Sequence, residues 1–292
     1  MGRRRRPHLD PLAARRLIVA DGLQPTAEHA TRVRTRFQAA LAAGPTDGGR
    51  ADDEQTLRDL AEAAVTRVAE VMYGSNAVFL LELDAPDAEQ AGERLRAIYK
   101  PVRGERPLWD FPRHTLHLRE VATYLADAAL EFGHVPPTVL RDGPLGPGSV
   151  QQYVQRAAPR SADDDAEALE HQLREVAALD VLVNNADRKR AHLLVTDGPR
   201  VRAIDNALTF LPYPRQRTAL IALGGTPLPK DTAARLRSLA GDARRLEALR
   251  ARLARLLSTI EVDAFMHRVR ELAGDPTYPE LDDWDGRPFE WW

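Results

Sequence analysis

The sequence predicts an α+β fold. Apolar runs of strand length dominate the first half and are interrupted by a single clear helix, while the second half is helical apart from one hairpin. Strands and helices are therefore segregated along the chain instead of alternating, which argues against a parallel α/β sheet. No internal repeat is visible.

With 292 residues the chain can bury a good core, as one large domain or two lobes. Apolar residues make up 43% and charged residues 29%, as in ordinary globular proteins. The net charge of -2 gives no global field for nucleic acid, so no nucleic-acid partner is expected. Cysteine is absent, which excludes disulfides, zinc thiolates and a cysteine nucleophile. No apolar run approaches the roughly 18 residues that span a bilayer, so no transmembrane segment is expected. The basic start "MGRRRRPHLD" has no apolar stretch behind it, so a cytoplasmic location is expected.

Four regions follow in order. Residues 1–55 read as a tail, a short helix in "DPLAARRLIVADGL" and a Gly/Asp-rich linker, "AAGPTDGGRADDEQ", partly disordered. Residues 56–155 hold most of the strands. "LRDLAEAAVTRVAEVM" starts with helical spacing, "YGSN" is a turn, and "NAVFLLELD" and "LRAIYKP" are strands, the second ending in Lys100 before Pro101. "HLREVATYLADAAL" is a helix by the spacing of Leu118, Val121, Leu125 and Ala129, with Thr115 at its N-cap. In "PLWDFP", Trp109 and Phe111 read as anchors for the loop before it. "VPPTVLRDGPLGPGSVQQYVQ" reads as strand, turn, strand. Residues 156–275 hold the helix "ALEHQLREVAALDVLV", a hairpin closed by "TDG", and a leucine-spaced helical stretch. Residues 276–292 form an acidic, aromatic tail that reads as a clasp onto the body.

One stretch breaks the pattern. "DVLVNNADRKRAH" sets Asn184, Asn185, Asp187, Arg188 and Lys189 between two apolar runs. Asp187 precedes the "TDG" hairpin and Asp205 closes it. Two carboxylates at one end of a hairpin can flank a magnesium ion, which takes hard oxygen ligands. The plainer reading is two loop aspartates making Asx-turns. Earlier in the chain, Lys100 ends a strand, where a lysine can simply snorkel to solvent. Glu120 lies on the next helix, on the side shared by Leu116 and Tyr124. His114 and His117, with Glu120, could mimic a metal site, though no third ligand beyond Glu120 is obvious. Neither a G-x-S-x-G nor a GK[ST] motif occurs.

The order lysine, helical glutamate, loop aspartate, hairpin-end aspartate is that of protein-kinase-like phosphotransferases. "DVLVNNADRK" followed by "IDNALTF" resembles the catalytic and metal-binding loops of the phosphatidylinositol 3- and 4-kinase-like superfamily. "YKPVRGERPLWDFP" and "REVATYLADAALEFGHVPPTVLRDGPLGPG" read like an uncharacterised actinobacterial branch of it. HipA-type kinases are more distant relatives. The resemblance covers about half the chain, residues 71 to 229.

This resemblance implies a two-lobed protein-kinase-like fold, with a small β-rich N-lobe and a mostly helical C-lobe. It implies ATP as nucleotide, Mg2+ or Mn2+, and transfer of the γ-phosphate to an unidentified hydroxyl acceptor. Gly74, Ser75 and Asn76 would cover the phosphates. Lys100 would hold them and Glu120 would position Lys100. Gln152, Tyr153 and Val154 would line the adenine pocket. Asp187 would be catalytic and Asp205 would hold metal. Two departures stand out. His192 occupies the place of the superfamily's metal-binding asparagine, and imidazole suits magnesium less well than manganese. The metal loop reads Asp205-Asn206-Ala207, without the usual glycine, and Asn206 is expected to tolerate any positive φ in its place. The alternatives are a nucleotide-binding pseudokinase or scaffold, or an AMP-transferring relative.

Overall fold

The computed structural model describes residues 27–71, 76–85, 94–157 and 166–288. The basic N-terminal tail, the expected helix in "DPLAARRLIVADGL" and Gly74 and Ser75 lie outside these residues. The α+β class holds, with a β-rich N-terminal part and a helical C-terminal part.

The N-terminal part is a five-stranded antiparallel sheet, ordered β1-β2-β3-β5-β4. The strands are β1 (Ala64–Val71), β2 (Val78–Asp84), β3 (Leu95–Pro101), β4 (Thr138–Gly143) and β5 (Gly146–Gln152). β1 corrects the sequence reading. The helical spacing at the start of "LRDLAEAAVTRVAEVM" ends with α2 (Glu54–Glu62), and the rest is a strand paired with β2 from Ala64↔Asp84 to Val71↔Val78. Val65, Thr66, Val68 and Val71 are β-branched and suit the pleated surface.

β3 positions the site. Ala97, Tyr99 and Pro101 are buried and alternate with partly exposed Ile98 and Lys100, as the two-residue period of a strand requires. Lys100 pairs with Ser149 of β5, so it sits on a central strand with neighbours on both sides. Between β3 and β4 runs α3 (Leu116–Ala129), buried on nearly every side, Glu120 included. Thr115 is at its N-cap, yet its hydroxyl donates to Pro112 O at 2.6 Å and does not cap.

The C-terminal part starts with α4 (Ala166–Val183), which delivers the chain into "NNADRK". The hairpin β6 (Leu193–Thr196) and β7 (Arg200–Ala203) follows, its turn closed by Gly198 at φ 79°, a conformation glycine adopts without penalty. Helices α5 (Lys230–Gly241), α6 (Ala243–Ala254) and α7 (Thr259–Gly274) then pack Leu236, Leu249, Leu253, Phe265 and Val269 into one core shared with α3 and the sheet.

The residues before the sheet are more ordered than a linker. α1 (Ala27–Ala43) buries Phe37, and the glycine-containing loop behind it spans both parts of the molecule. Asp47 pairs with Arg252 and Arg255 of the α6 end, while Arg50 pairs with Asp127 of α3 at 2.6 Å and donates to Val135 O at 2.9 Å. At the other end, Gly286 O accepts from Thr218 N at 2.8 Å, so the tail does return to the body, although Trp284 stays 89% exposed.

Candidate functional site

A cleft of about 610 Å3 lies between the sheet and the helical part, a size that suits a small-molecule ligand. Its walls include Asn76, Lys100, Gln152, Tyr153, Val154, Asp187, His192 and Asp205. The described residues singled out from the sequence thus meet in one place, with Glu120 directly behind Lys100.

At the centre, Lys100 Nζ contacts Glu120 Oε1 and lies 2.8 Å from Asp205 Oδ1. Burial alone would lower the pKa of this ammonium, but Asp205 and Glu120 outweigh it and hold the group above the ordinary lysine range. In return Lys100 holds the Asp205 carboxyl far below the usual range, against burial and helped by His192. Glu120 also accepts the Asn206 amide N–H through Oε2 at 3.0 Å, so one buried carboxylate links the strand lysine to the loop that bears Asp205.

The loop at Asp205 solves its geometry differently from the expectation. The positive φ falls on Asp205 itself, at 56°, and not on Asn206 or Ala207. Aspartate tolerates this region better than most residues. No glycine is required two residues on. Asn206 is instead buried, donating to Ala203 O at 3.0 Å and accepting from Arg188 Nη2 at 2.6 Å.

Arg188 organises the loop that bears Asp187. It is fully buried, binds Asp180 of α4 through Nε and Nη2 at 2.9 Å, and donates to Ile204 O at 2.8 Å. The two asparagines do structural work. Asn185 Oδ1 accepts the Asp187 amide at 2.9 Å while its Nδ2 donates to Asp180. Asn184, at φ 52°, donates to Leu211 O and Tyr213 O and accepts from Arg215 N. Both amide oxygens accept backbone N–H groups and so hold the chain beside Asp187 in place. Asp187 is partly exposed to the cleft and pairs with Lys189 Nζ at 2.9 Å. Burial raises its pKa above the ordinary aspartate value, opposed by Lys189 and reinforced by the Asp205 charge.

His192 Nε2 lies 3.4 Å from Asp205 Oδ2, and its Nδ1 lies 3.4 Å from the Lys189 amide. An amide N–H can only donate, so Nδ1 accepts and the ring proton sits on Nε2, facing Asp205. A cation at Nε2 would have to displace that proton. Asp205 therefore offers a hard divalent ion a carboxylate oxygen, and His192 could join it only with its ring proton on Nδ1, against the Lys189 amide. Burial pushes the His192 pKa down to about 4, from 6.5. Between those values the unfolded chain takes up a proton that the folded one refuses, so stability falls as pH falls from 6.5 towards 4, by at most about 3 kcal/mol. Thermal melts across that range are expected to show a shallower decline for His192→Asn than for the parent protein.

The rest of the candidate set divides. Amides of Gln152 and Tyr153 donate to Pro137 O and Arg96 O, both at 2.9 Å, which leaves only their carbonyls for a ligand. Asn76 Oδ1 accepts from Arg106 N at 2.8 Å. His114, His117 and Glu120 do not converge, because the His117 ring turns onto Glu105 at 2.7 Å. Phe111 is buried as an anchor, but Trp109 is 84% exposed and lies against Arg215. Among the described residues, His171, Glu175 and Asp231 have metal-ligand spacing outside the cleft. These are already engaged: His171 with Asp231 at 3.0 Å, and Glu175 with His134 and Arg235.

Lys189, Arg188 and Asp180 were not assigned roles from the sequence. The signal available was the charge placed beside Asp187 and the aspartate that interrupts the apolar end of α4.

Fold and site together define a two-lobed α+β protein with a lysine-centred cleft whose Lys100 is held between the carboxylates of Glu120 and Asp205. The chain is 32% identical over 277 residues to Protein Rv2133c of Mycobacterium tuberculosis (strain ATCC 25618 / H37Rv), covering 82% of this chain and 95% of that one. It belongs to the same family as that protein. No family model matches the chain. Among solved structures, one titled "Crystal structure of the golgi casein kinase" is similar with a TM-score of 0.46 at 15% identity, over 82% of this chain and 79% of that one. Among the described residues, no helix is long and apolar enough to cross a membrane.

Proposed function

We propose that this protein is an ATP-dependent phosphotransferase that moves the γ-phosphoryl group to a hydroxyl acceptor. The observation that carries the reading is Lys100, held between Glu120 and Asp205 at the floor of a cleft that Asp187 also lines. Phosphoryl transfer needs little covalent chemistry from a protein; positioning and charge stabilisation suffice, and these groups provide both. Lys100 binds phosphate oxygens. Glu120 fixes the lysine and, through the Asn206 amide, the loop that bears Asp205. Asp187 accepts a hydrogen bond from the acceptor hydroxyl and orients its oxygen, while Lys189 balances its charge until substrate enters. Asp205 would hold Mg2+ or Mn2+, which when bound would neutralise charge on the phosphates. His192 orients Asp205 through its Nε2 proton.

Asn76, with Gly74 and Ser75 of the preceding turn, would cover the phosphates. The carbonyls of Gln152 and Tyr153 and the backbone of Val154 would face the adenine. The motifs shared with the phosphatidylinositol 3- and 4-kinase-like superfamily support ATP as donor, and leave a protein, small molecule or lipid as acceptor.

A second reading, a nucleotide-binding pseudokinase, is favoured by the protonated Nε2 of His192 where the superfamily has a metal ligand. Both readings predict that ATP with Mn2+ raises the melting temperature, by an amount that grows as RT ln(1 + [L]/Kd). Lys100→Met is expected to abolish that rise. Absence of any rise in the parent protein would rule out both. Product masses then separate a phosphorylated acceptor from an adenylylated one, and either from binding alone.

A further inference from the structure

We propose that Glu105 is a positioning residue for the Lys100–Glu120 pair, an inference that rests on the phosphotransferase reading only for its bearing on catalysis. Glu105 lies in the loop between β3 and α3, and its side chain is 7% exposed. Its Oε1 accepts from the backbone N–H of His117 at 3.0 Å and lies 2.7 Å from His117 Nδ1. That backbone N–H is one of the donors that the first turn of a helix leaves without an internal partner. The hydroxyl of Thr115 is committed to Pro112 O, so the cap of α3 comes from outside the helix. A carboxylate at this end also matches the positive end of the helix dipole.

What α3 delivers one turn further on is Glu120. Sliding or turning the first turn of α3 would shift Glu120 relative to Lys100, and with it the Asn206 amide that Glu120 holds at 3.0 Å. The segment around Glu105 is fixed on its other side. Gly104 O accepts from Ala77 N at 3.1 Å, and Arg106 N donates to Asn76 Oδ1 at 2.8 Å. A Cβ on Gly104 would lie 2.8 Å from the Ala77 Cβ, so only glycine permits this approach. Glu105 therefore stands between the end of the turn that leads into β2 and the helix that sets the lysine. Its Oε2 is buried without a partner, a cost to stability set against the hold on α3.

The lysines of the chain are Lys100, Lys189 and Lys230, which makes the pair directly readable. Acylation of the intact protein by an amine-reactive ester, followed by peptide mass spectrometry, gives the rate at each lysine, with exposed Lys230 as the internal reference. Glu105→Ala is expected to raise the Lys100 rate at least five-fold relative to Lys230. Glu105→Asp keeps the charge but falls a methylene short of the His117 amide, and is expected to do the same. Glu105→Gln keeps the reach and is expected to stay within two-fold of the parent. Should the alanine variant fail to fold, the contrast between Asp and Gln carries the test. Parental Lys100 rates in the Asp variant, or a raised rate in the Gln variant alone, overturn the inference. Phosphoryl transfer measured in parallel keeps the two ideas apart. If the parent transfers no phosphate but Lys100 responds as expected, the positioning stands and the phosphotransferase reading fails.

Discussion

Asp187→Asn is expected to lower phosphoryl transfer by about 10²- to 10⁴-fold, the range typical of losing a positioned acid–base group, while ATP affinity stays within a few fold. The asymmetry follows from where Asp187 sits. Its carboxylate touches Lys189 and the cleft, but it makes no contact with Lys100 or Glu120. The Asp187 amide is held by Asn185 Oδ1, a contact through the backbone that the substitution leaves intact. The loop should therefore keep its shape, and the nucleotide its cation. Turnover assays alongside ATP titrations of the melting temperature check this. A variant with parental turnover would remove Asp187 from the chemistry. The raised pKa of Asp187 adds a second sign to the result. The carboxylate form is the active one, so the acid limb of the rate profile should lie above the ordinary aspartate range and vanish in the variant.

The second large effect concerns folding. Arg188→Ala leaves the buried Asp180 carboxyl without its cationic partner, and also orphans Ile204 O and Asn206 Oδ1. Breaking a buried ion pair from one side costs about 3–5 kcal/mol. For a chain of marginal stability that is a large share of the total. Denaturant melts of Arg188→Ala should show a midpoint shifted by that amount, with loss of activity following from loss of fold. Replacement of Arg188 by lysine should recover little, because an ammonium cannot reproduce the forked contact with Asp180 and the two further acceptors. A drop below about 1 kcal/mol would mean that the loop stands without this arginine.

Much of the architecture was legible because it is local. Alternation along "LRAIYKP" and leucine spacing in α3 and α5 to α7 need only neighbours in sequence. Lys100, Asp187 and Asp205 each sit where an apolar run stops, but they became a set only through their order and the resemblance to kinase-like phosphotransferases. β1 was less visible, since the helical spacing of α2 runs straight into it and only the β-branched residues mark the change. The hidden parts depend on distant partners. Nothing local says that Arg188 turns inward onto Asp180, that Glu105 reaches across a proline-rich loop to cap α3, or that the tryptophan at position 109 faces solvent while Phe111 is buried. The backbone at Asp205 was missed for a related reason: the expectation passed the positive φ of the missing glycine to Asn206, whereas the left-handed residue is the aspartate.

The loop that carries Asp47 and Arg50 has a consequence for how the chain is made. Its partners on α6 lie 205 and 208 residues further along. During synthesis α1 and the sheet emerge first, and this contact can close only once Arg252 and Arg255 have left the ribosome. Contacts of such separation form late, because their loop-closure entropy is met only after nearer contacts are in place. Pairings within the sheet span far fewer residues, whereas the core that the sheet shares with α5 to α7 also waits for the later helices. The strap from Asp47 to Arg252 and Arg255 is therefore among the last contacts a nascent chain can make.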